Sequence, residues 1–206
     1  MSKDCLHASG LEPMKKALGI ALALNIGMFF VEMVAAYLSH STALQADALD
    51  FLSDSFAYGI AYWAIDKSQR WRSATALTTS ATHLSFGLWV LGIAFYRLWM
   101  GLTPVASIMG SVSVLALSAN IGSAYALHKH RHKDSNMMAV WIASRNDAIN
   151  NILVMIAAGA VYLTASRWPD LAVAFFVAFI EITGAIQILR KVLAERRALH
   201  LPPTST

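Results

Sequence analysis

Charge is scarce in this chain. Of its 206 residues only 14% are Asp, Glu, Lys or Arg and 57% are hydrophobic, whereas soluble domains carry about a quarter charged residues. That balance excludes a soluble globular domain and points to a polytopic membrane protein. Cysteine is almost missing as well. Cys5 stands alone, so no intramolecular disulfide can form. The opening residues, MSKDCLHASGLEP, lack both an apolar core and a cleavage site, so no signal peptide is expected. No glycine-rich phosphate loop is present, which argues against nucleotide-driven pumping. Nothing in the composition calls for a nucleic-acid partner or a resident cofactor.

What is abundant is apolar sequence in long runs. Six segments can be read, over 14–38, 43–65, 77–99, 104–127, 136–164 and 169–190, each long enough to span a bilayer with some tilt. The expected fold is all-α, with six transmembrane helices over 14–192, an N-terminal tail over 1–13 and a short C-terminal tail over 193–206. The connections leave no room for a soluble domain between spans. Tryptophans 63, 71, 99, 141 and 168 lie mostly near span ends, as an aromatic belt requires.

Lys and Arg set the orientation. Lys3, Lys15 and Lys16 precede the first span, and Lys67, Arg70 and Arg72 join the second to the third. Lys129, Arg131 and Lys133 join the fourth to the fifth, and Arg190, Lys191, Arg196 and Arg197 follow the sixth. These are 13 of the 16 basic residues, all on one side. Only Arg97 and Arg167 lie opposite, with Arg145 inside the fifth span. By the positive-inside rule both termini are expected in the cytoplasm.

Against this background, acids inside spans carry information. A single Asp at the centre of a membrane helix costs roughly 2.5–3.5 kcal/mol on insertion scales. The second span, Ala43–Ala64, carries three, Asp47, Asp50 and Asp54, spaced i, i+3, i+7 on one helical face. Entered from outside, it places Asp50 and Asp54 about 10–17 Å along the helix; Asp147, entered from the cytoplasm, lies about 16 Å along the fifth span. Both depths are near the middle of a hydrocarbon core about 30 Å thick. Asn151 follows Asp147 by one turn on the same face, with Asn150 beside it. Two helices thus present oxygen ligands at one depth.

Three buried carboxylates facing one another cannot all stay ionised unless a cation joins them; otherwise some take up protons. Carboxylate and amide oxygens suit divalent cations, Zn²⁺ among them. The ligands must be deprotonated to bind, so metal and protons compete for the same oxygens. The candidate metal ligands are Asp50, Asp54 and Asp147, with Asp47 and Asn151 beside them. That competition gives a physical basis for metal/proton exchange without by itself showing that exchange occurs; the expected ion is a divalent metal, Zn²⁺ or another transition ion such as Co²⁺, Ni²⁺, Fe²⁺, Mn²⁺ or Cd²⁺.

Those residues carry a family resemblance. Ser41–Asp54, SxALQADALDFLSD, resembles the second span of the cation diffusion facilitator family, whose A-D-A-x-(H/D)-x-x-x-D pattern supplies two metal ligands. The match falls on Asp50 and Asp54, with Asp47 as the pattern's first Asp. Ser144–Asn151, SRNDAINN, is similar to the family's fifth-span motif, H/D-x-x-x-D followed by a small polar residue, and places a ligand at Asp147. Asn25 and Glu32 in span one and the turn Trp168–Asp170 are similar too. The resemblance implies a membrane-embedded exporter of divalent metal in exchange for protons, set in a bacterial inner membrane and not an enzyme. Two departures stand out. Ala143 occupies the position where the family has His or Asp, so Asn146, Asn150, Asn151 or Asp47 is left to supply the ligand. After the sixth span only about 15 residues follow, too few for the family's cytoplasmic dimerisation domain, so a homodimer is expected to form through the membrane helices.

Other residues admit more than one reading. His128, His130 and His132 lie on the connection between spans four and five, where they either collect metal or form an ordinary basic flank. Cys5 and His7 read as part of a disordered tail. Glu32, at a depth similar to Asp47, either lines an outward exit or bonds between helices. Arg145 and Glu181 are expected to form a structural ion pair, His83 to sit at the cytoplasmic interface, and Asn120 to bond a neighbouring helix. Two rival functions are considered. An intramembrane aspartyl protease also pairs Asp across two spans, but its G-x-G-D site is not matched by Arg145–Asp147, which lacks both glycines. A membrane metal sensor or subunit would bind without turnover.

Overall fold

The computed structural model describes residues 3–64, 69–131 and 135–200; within these, the side chains of residues 3–10, 64, 69–77, 79, 135–136, 139, 188 and 191–200 stand outside the description. The backbone forms six helices, α1 Lys3–Ser39, α2 Thr42–Ala64, α3 Gln69–Met100, α4 Ala106–His128, α5 Ser135–Thr164 and α6 Trp168–His200. Each expected span coincides with one of them, and the all-α class holds. Helical backbone reaches back to Lys3 through Pro13, and α6 continues to His200 because no helix breaker intervenes before Pro202.

Among the described residues, four helices (α1, α4, α5 and α6) are long and apolar enough to cross a membrane. The other two depart on composition. α2 holds Asp47, Asp50 and Asp54 within 23 residues, and α3 holds Ser80, Thr82, His83, Ser85 and Arg97. Polarity is thus concentrated on two adjacent helices. Large apolar side chains such as Phe30, Tyr37, Trp89, Tyr125 and Leu163 point outward, where lipid replaces water as the surrounding solvent.

α1, α2, α4 and α5 form one bundle, with α1 against α2 and α4, α4 against α5, and α2 against α5. α3 and α6 pair with each other and lean on that bundle through α2 and α5. Small residues allow the close approach, as helix packing in lipid requires. Ala35, Ala36, Ala43, Ala157 and Ala158 fill one apolar cluster with Leu44, Met109 and Val154. Ala17, Ala21, Leu18, Tyr58, Leu127 and Met137 fill another. α2 touches α1, α3, α5 and α6, and is the axis of the molecule.

The turns after α1, α3 and α5 gather at one end. The Val105 amide donates to the Ser39 carbonyl at 2.8 Å. Each helix leaves through a left-handed residue, His40 (φ 57°), Gly101 (φ 73°) and Ala165 (φ 48°), the usual exit from a helix C-terminus. A Cβ on Gly101 would also lie 2.7 Å from Arg167 Nη1, so the end of the Arg167 side chain would have to shift to admit one. The Trp168–Asp170 turn now has a role. Asp170, 1% exposed, accepts hydrogen bonds from Ser41 Oγ at 2.5 Å and from the Thr42 and Ala43 amides at 2.8 and 3.1 Å. It caps the N-terminus of α2 from the start of α6 and fixes the register between them.

Candidate metal centre

The i, i+4 spacing of Asp50 and Asp54 puts both on the face of α2 that meets α5 and the α3–α6 pair. Both are buried, as is Asp147 on α5. The Asp147 carboxyl interacts with the side chains of both Asp50 and Asp54. The three carboxyls expected to share a depth are therefore in one place. The charged groups acting on them are other carboxylates and His83.

Asp54 is held from below. Tyr58, one turn on and fully buried, donates its hydroxyl to Asp54 Oδ2 at 2.5 Å and shares a 2.7 Å hydrogen bond with Ser144 Oγ. Ser144 lies one turn before Asp147 on α5, so this chain of bonds ties the two acid-bearing helices together. The sequence reading missed both residues, although their spacing from Asp54 and Asp147 is the helical-neighbour spacing. Asn151 is fully buried and spends its Nδ2 on the Asp147 carbonyl at 2.9 Å. Its Oδ1 meets no donor among the described residues. That leaves a buried amide oxygen able to accept a cation.

Asp47 keeps different company. Beside it stands Glu32 of α1, itself 0% exposed and with neither carboxyl oxygen meeting a donor among the described residues. Two buried carboxyls side by side are held only with a proton or a cation to share. Asn25, two turns before Glu32 on the same face of α1, bonds the Ala21 carbonyl at 2.8 Å. Asn120 is buried, yet its side-chain amide bonds no described residue. The interhelical hydrogen bond expected there is not formed.

One further expectation is corrected. Arg145 does not pair with Glu181. It is exposed, donates to Asn146 Oδ1 at 3.2 Å and lies 5.5 Å from the centre of the Trp141 ring. Glu181 instead pairs with His83, Oε2 to Nδ1. α3 and α6 pack together and turn His83 towards Asp50 of α2, its side chain only 19% exposed. Depth along a span can be counted from sequence, but the rotation that turns His83 inward cannot. Of the connection histidines, two are described. His128 is exposed and rests edge-on against Trp141, 5.8 Å between ring centres, and His130 is buried; His132, like the side chains of Cys5 and His7, lies outside the described residues.

A sequence model of the cation efflux transmembrane domain matches residues 18–195. The chain belongs to that family. It is similar to the zinc transporter ZitB of Yersinia pestis, 26% identical over 189 residues that make up 85% of this chain and 61% of that protein. It resembles ZitB of Escherichia coli at 26% over 183 residues, 82% of this chain and 58% of the relative. The metal cation efflux system protein CzcD of Cupriavidus metallidurans is also 26% identical over 183 residues, 83% of this chain and 57% of the relative. The chain thus spans about three-fifths of the length of these relatives. The match runs through all six helices, and the resemblance read from Ser41–Asp54 and Ser144–Asn151 holds at the level of the family. With its membrane-spanning helices, this member of the family is a multi-pass integral membrane protein.

Proposed function

We propose that this protein exports a divalent metal cation from the cytoplasm in exchange for protons, with Asp50, Asp54 and Asp147 holding the ion in transit and Asn151 offering an amide oxygen. The observation that carries the reading is the meeting of three buried carboxyls from α2 and α5, whose charged neighbours are further carboxylates and one histidine. A cation is the species that such a cluster accommodates. Zn²⁺ is the first candidate, since relatives are named for it, with Co²⁺, Ni²⁺, Fe²⁺, Mn²⁺ and Cd²⁺ as alternatives. In this reading both termini face the cytoplasm of a bacterium, the protein sits in the inner membrane, and it acts as a homodimer joined through its membrane helices.

Proton exchange follows from shared oxygens. A metal displaces protons from carboxyls that hold them in its absence, so loading at one face and release at the other carries protons the opposite way. Metal affinity rises with pH across the range in which the cluster titrates. The test is Zn²⁺ uptake into inside-out vesicles with an imposed pH difference. Acidifying the lumen should accelerate uptake. Uptake that ignores the gradient would make the protein a uniporter, and binding without uptake would make it a sensor or subunit.

A further inference from the structure

His83 on α3 and Glu181 on α6 lie outside the α2–α5 cluster, yet each offers one ligand atom that falls, together with one from Asp50, in a group whose members are all within 4.8 Å of one another. The three come from three different helices, and no two are neighbours in sequence. Asp50 is 6% exposed, and the side chains of His83 and Glu181 are 19% and 17% exposed. The pair reaches into the carboxylate cluster electrostatically. Glu181 acts on both Asp50 and Asp54, and His83 acts on Asp54.

Donor chemistry and charge both favour a metal. Two carboxylates and a neutral imidazole carry a charge of minus two, which one divalent ion neutralises without remainder. The Asp50–Asp54–Asp147 set carries minus three and leaves one charge uncompensated in the membrane. A set of one nitrogen and two oxygens also resembles known zinc sites and suits borderline ions, whereas an all-oxygen set favours hard ones. The imidazole absent at Ala143 on α5 is thereby available from His83 on α3, which also packs against α2.

We propose that Asp50, His83 and Glu181 form a second position for a borderline divalent transition metal, sharing Asp50 with the α2–α5 cluster. This inference rests on the metal-transport reading above and extends it. An ion can be passed on by Asp50, from its ligand set with Asp54 and Asp147 to the one with His83 and Glu181 on the α3–α6 pair. A plain α3–α6 pairing contact between His83 and Glu181 is the competing explanation.

The experiment uses the full chain in lipid nanodiscs with Zn²⁺ alone as probe. Binding is read by calorimetry, and imidazole ligation by X-ray absorption at the zinc edge. In the Asp54→Ala/Asp147→Ala chain, Zn²⁺ should still bind, with an imidazole scattering signature. Adding His83→Gln or Glu181→Gln to that chain should weaken binding roughly 100-fold or more, since loss of outer-shell partners alone costs about 10–100-fold. Both substitutions keep a hydrogen-bonding group and so preserve the helix pairing. The absorption spectrum of the Asp54→Ala/Asp147→Ala chain tests the site without any change at His83. If wild-type protein binds and transports Zn²⁺ while that chain binds none, or binds with no imidazole signature, the second position is refuted and the transport reading stands. If wild-type protein binds no Zn²⁺, both fall together.

Discussion

Replacing Asp170 by alanine should loosen the whole helix arrangement, although Asp170 touches no metal ligand. Its carboxylate accepts from Ser41 Oγ and from the Thr42 and Ala43 amides, and it is 1% exposed. Alanine leaves two amides at the start of α2 without partners in a buried setting, each costing about 1–3 kcal/mol. Removing a buried carboxylate returns part of that cost, so the net loss is about 2–4 kcal/mol. For a chain of this size such a loss lowers the melting temperature by about 5–12 °C. Asparagine keeps one acceptor oxygen and should lose roughly half as much. The cap also sets α2 against α6, so Asp170→Ala should reduce metal transport together with stability. The assay is thermal unfolding of purified protein in detergent, followed by circular dichroism. A melting temperature for Asp170→Ala within about 2 °C of wild type would refute the capping argument.

Tyr58→Phe keeps the buried ring and removes the hydroxyl that joins Asp54 to Ser144, so it should cost about 1–2 kcal/mol in denaturant unfolding. It should also weaken metal binding about 10-fold or more, because Asp54 loses the partner that orients it; unchanged affinity by calorimetry would remove Tyr58 from the site. Cysteines placed at Ser135 and Ser166 in a Cys5-free background should label from opposite faces of the membrane, with Ser135 cytoplasmic. Equal labelling from outside would overturn the proposed orientation.

The path from sequence to fold was short where a single physical quantity decided it. Hydropathy and length locate α1, α4, α5 and α6, and the run Ala43–Ala64 declares α2 by the three aspartates that a lipid-facing helix would exclude. Counting residues along spans two and five brings Asp50, Asp54 and Asp147 to one depth, and the structure brings their carboxyls together. What counting cannot supply is rotation about the helix axis and the choice of neighbour. Arg145 and Glu181 share a depth, yet Arg145 turns outward over Trp141 while Glu181 turns to His83. The pairing of α3 with α6 decides that, and it leaves no periodic trace in either segment. Asp170 is similar, since its partners lie 127–129 residues earlier, and only the gathering of the turns after α1, α3 and α5 brings them together. Tyr58 and Ser144 were within reach of the sequence, each one turn from an acid already singled out.

The central claim is that Asp50, Asp54 and Asp147 hold a metal ion on its way across the membrane. The most direct measurement is Zn²⁺ flux into proteoliposomes containing a fluorescent zinc indicator, comparing wild type with Asp54→Ala and Asp147→Ala at equal reconstituted, folded protein. The account predicts flux in wild type and none above protein-free vesicles in either variant, with both variants retaining their helical circular dichroism. Wild-type flux through Asp54→Ala or Asp147→Ala would contradict it.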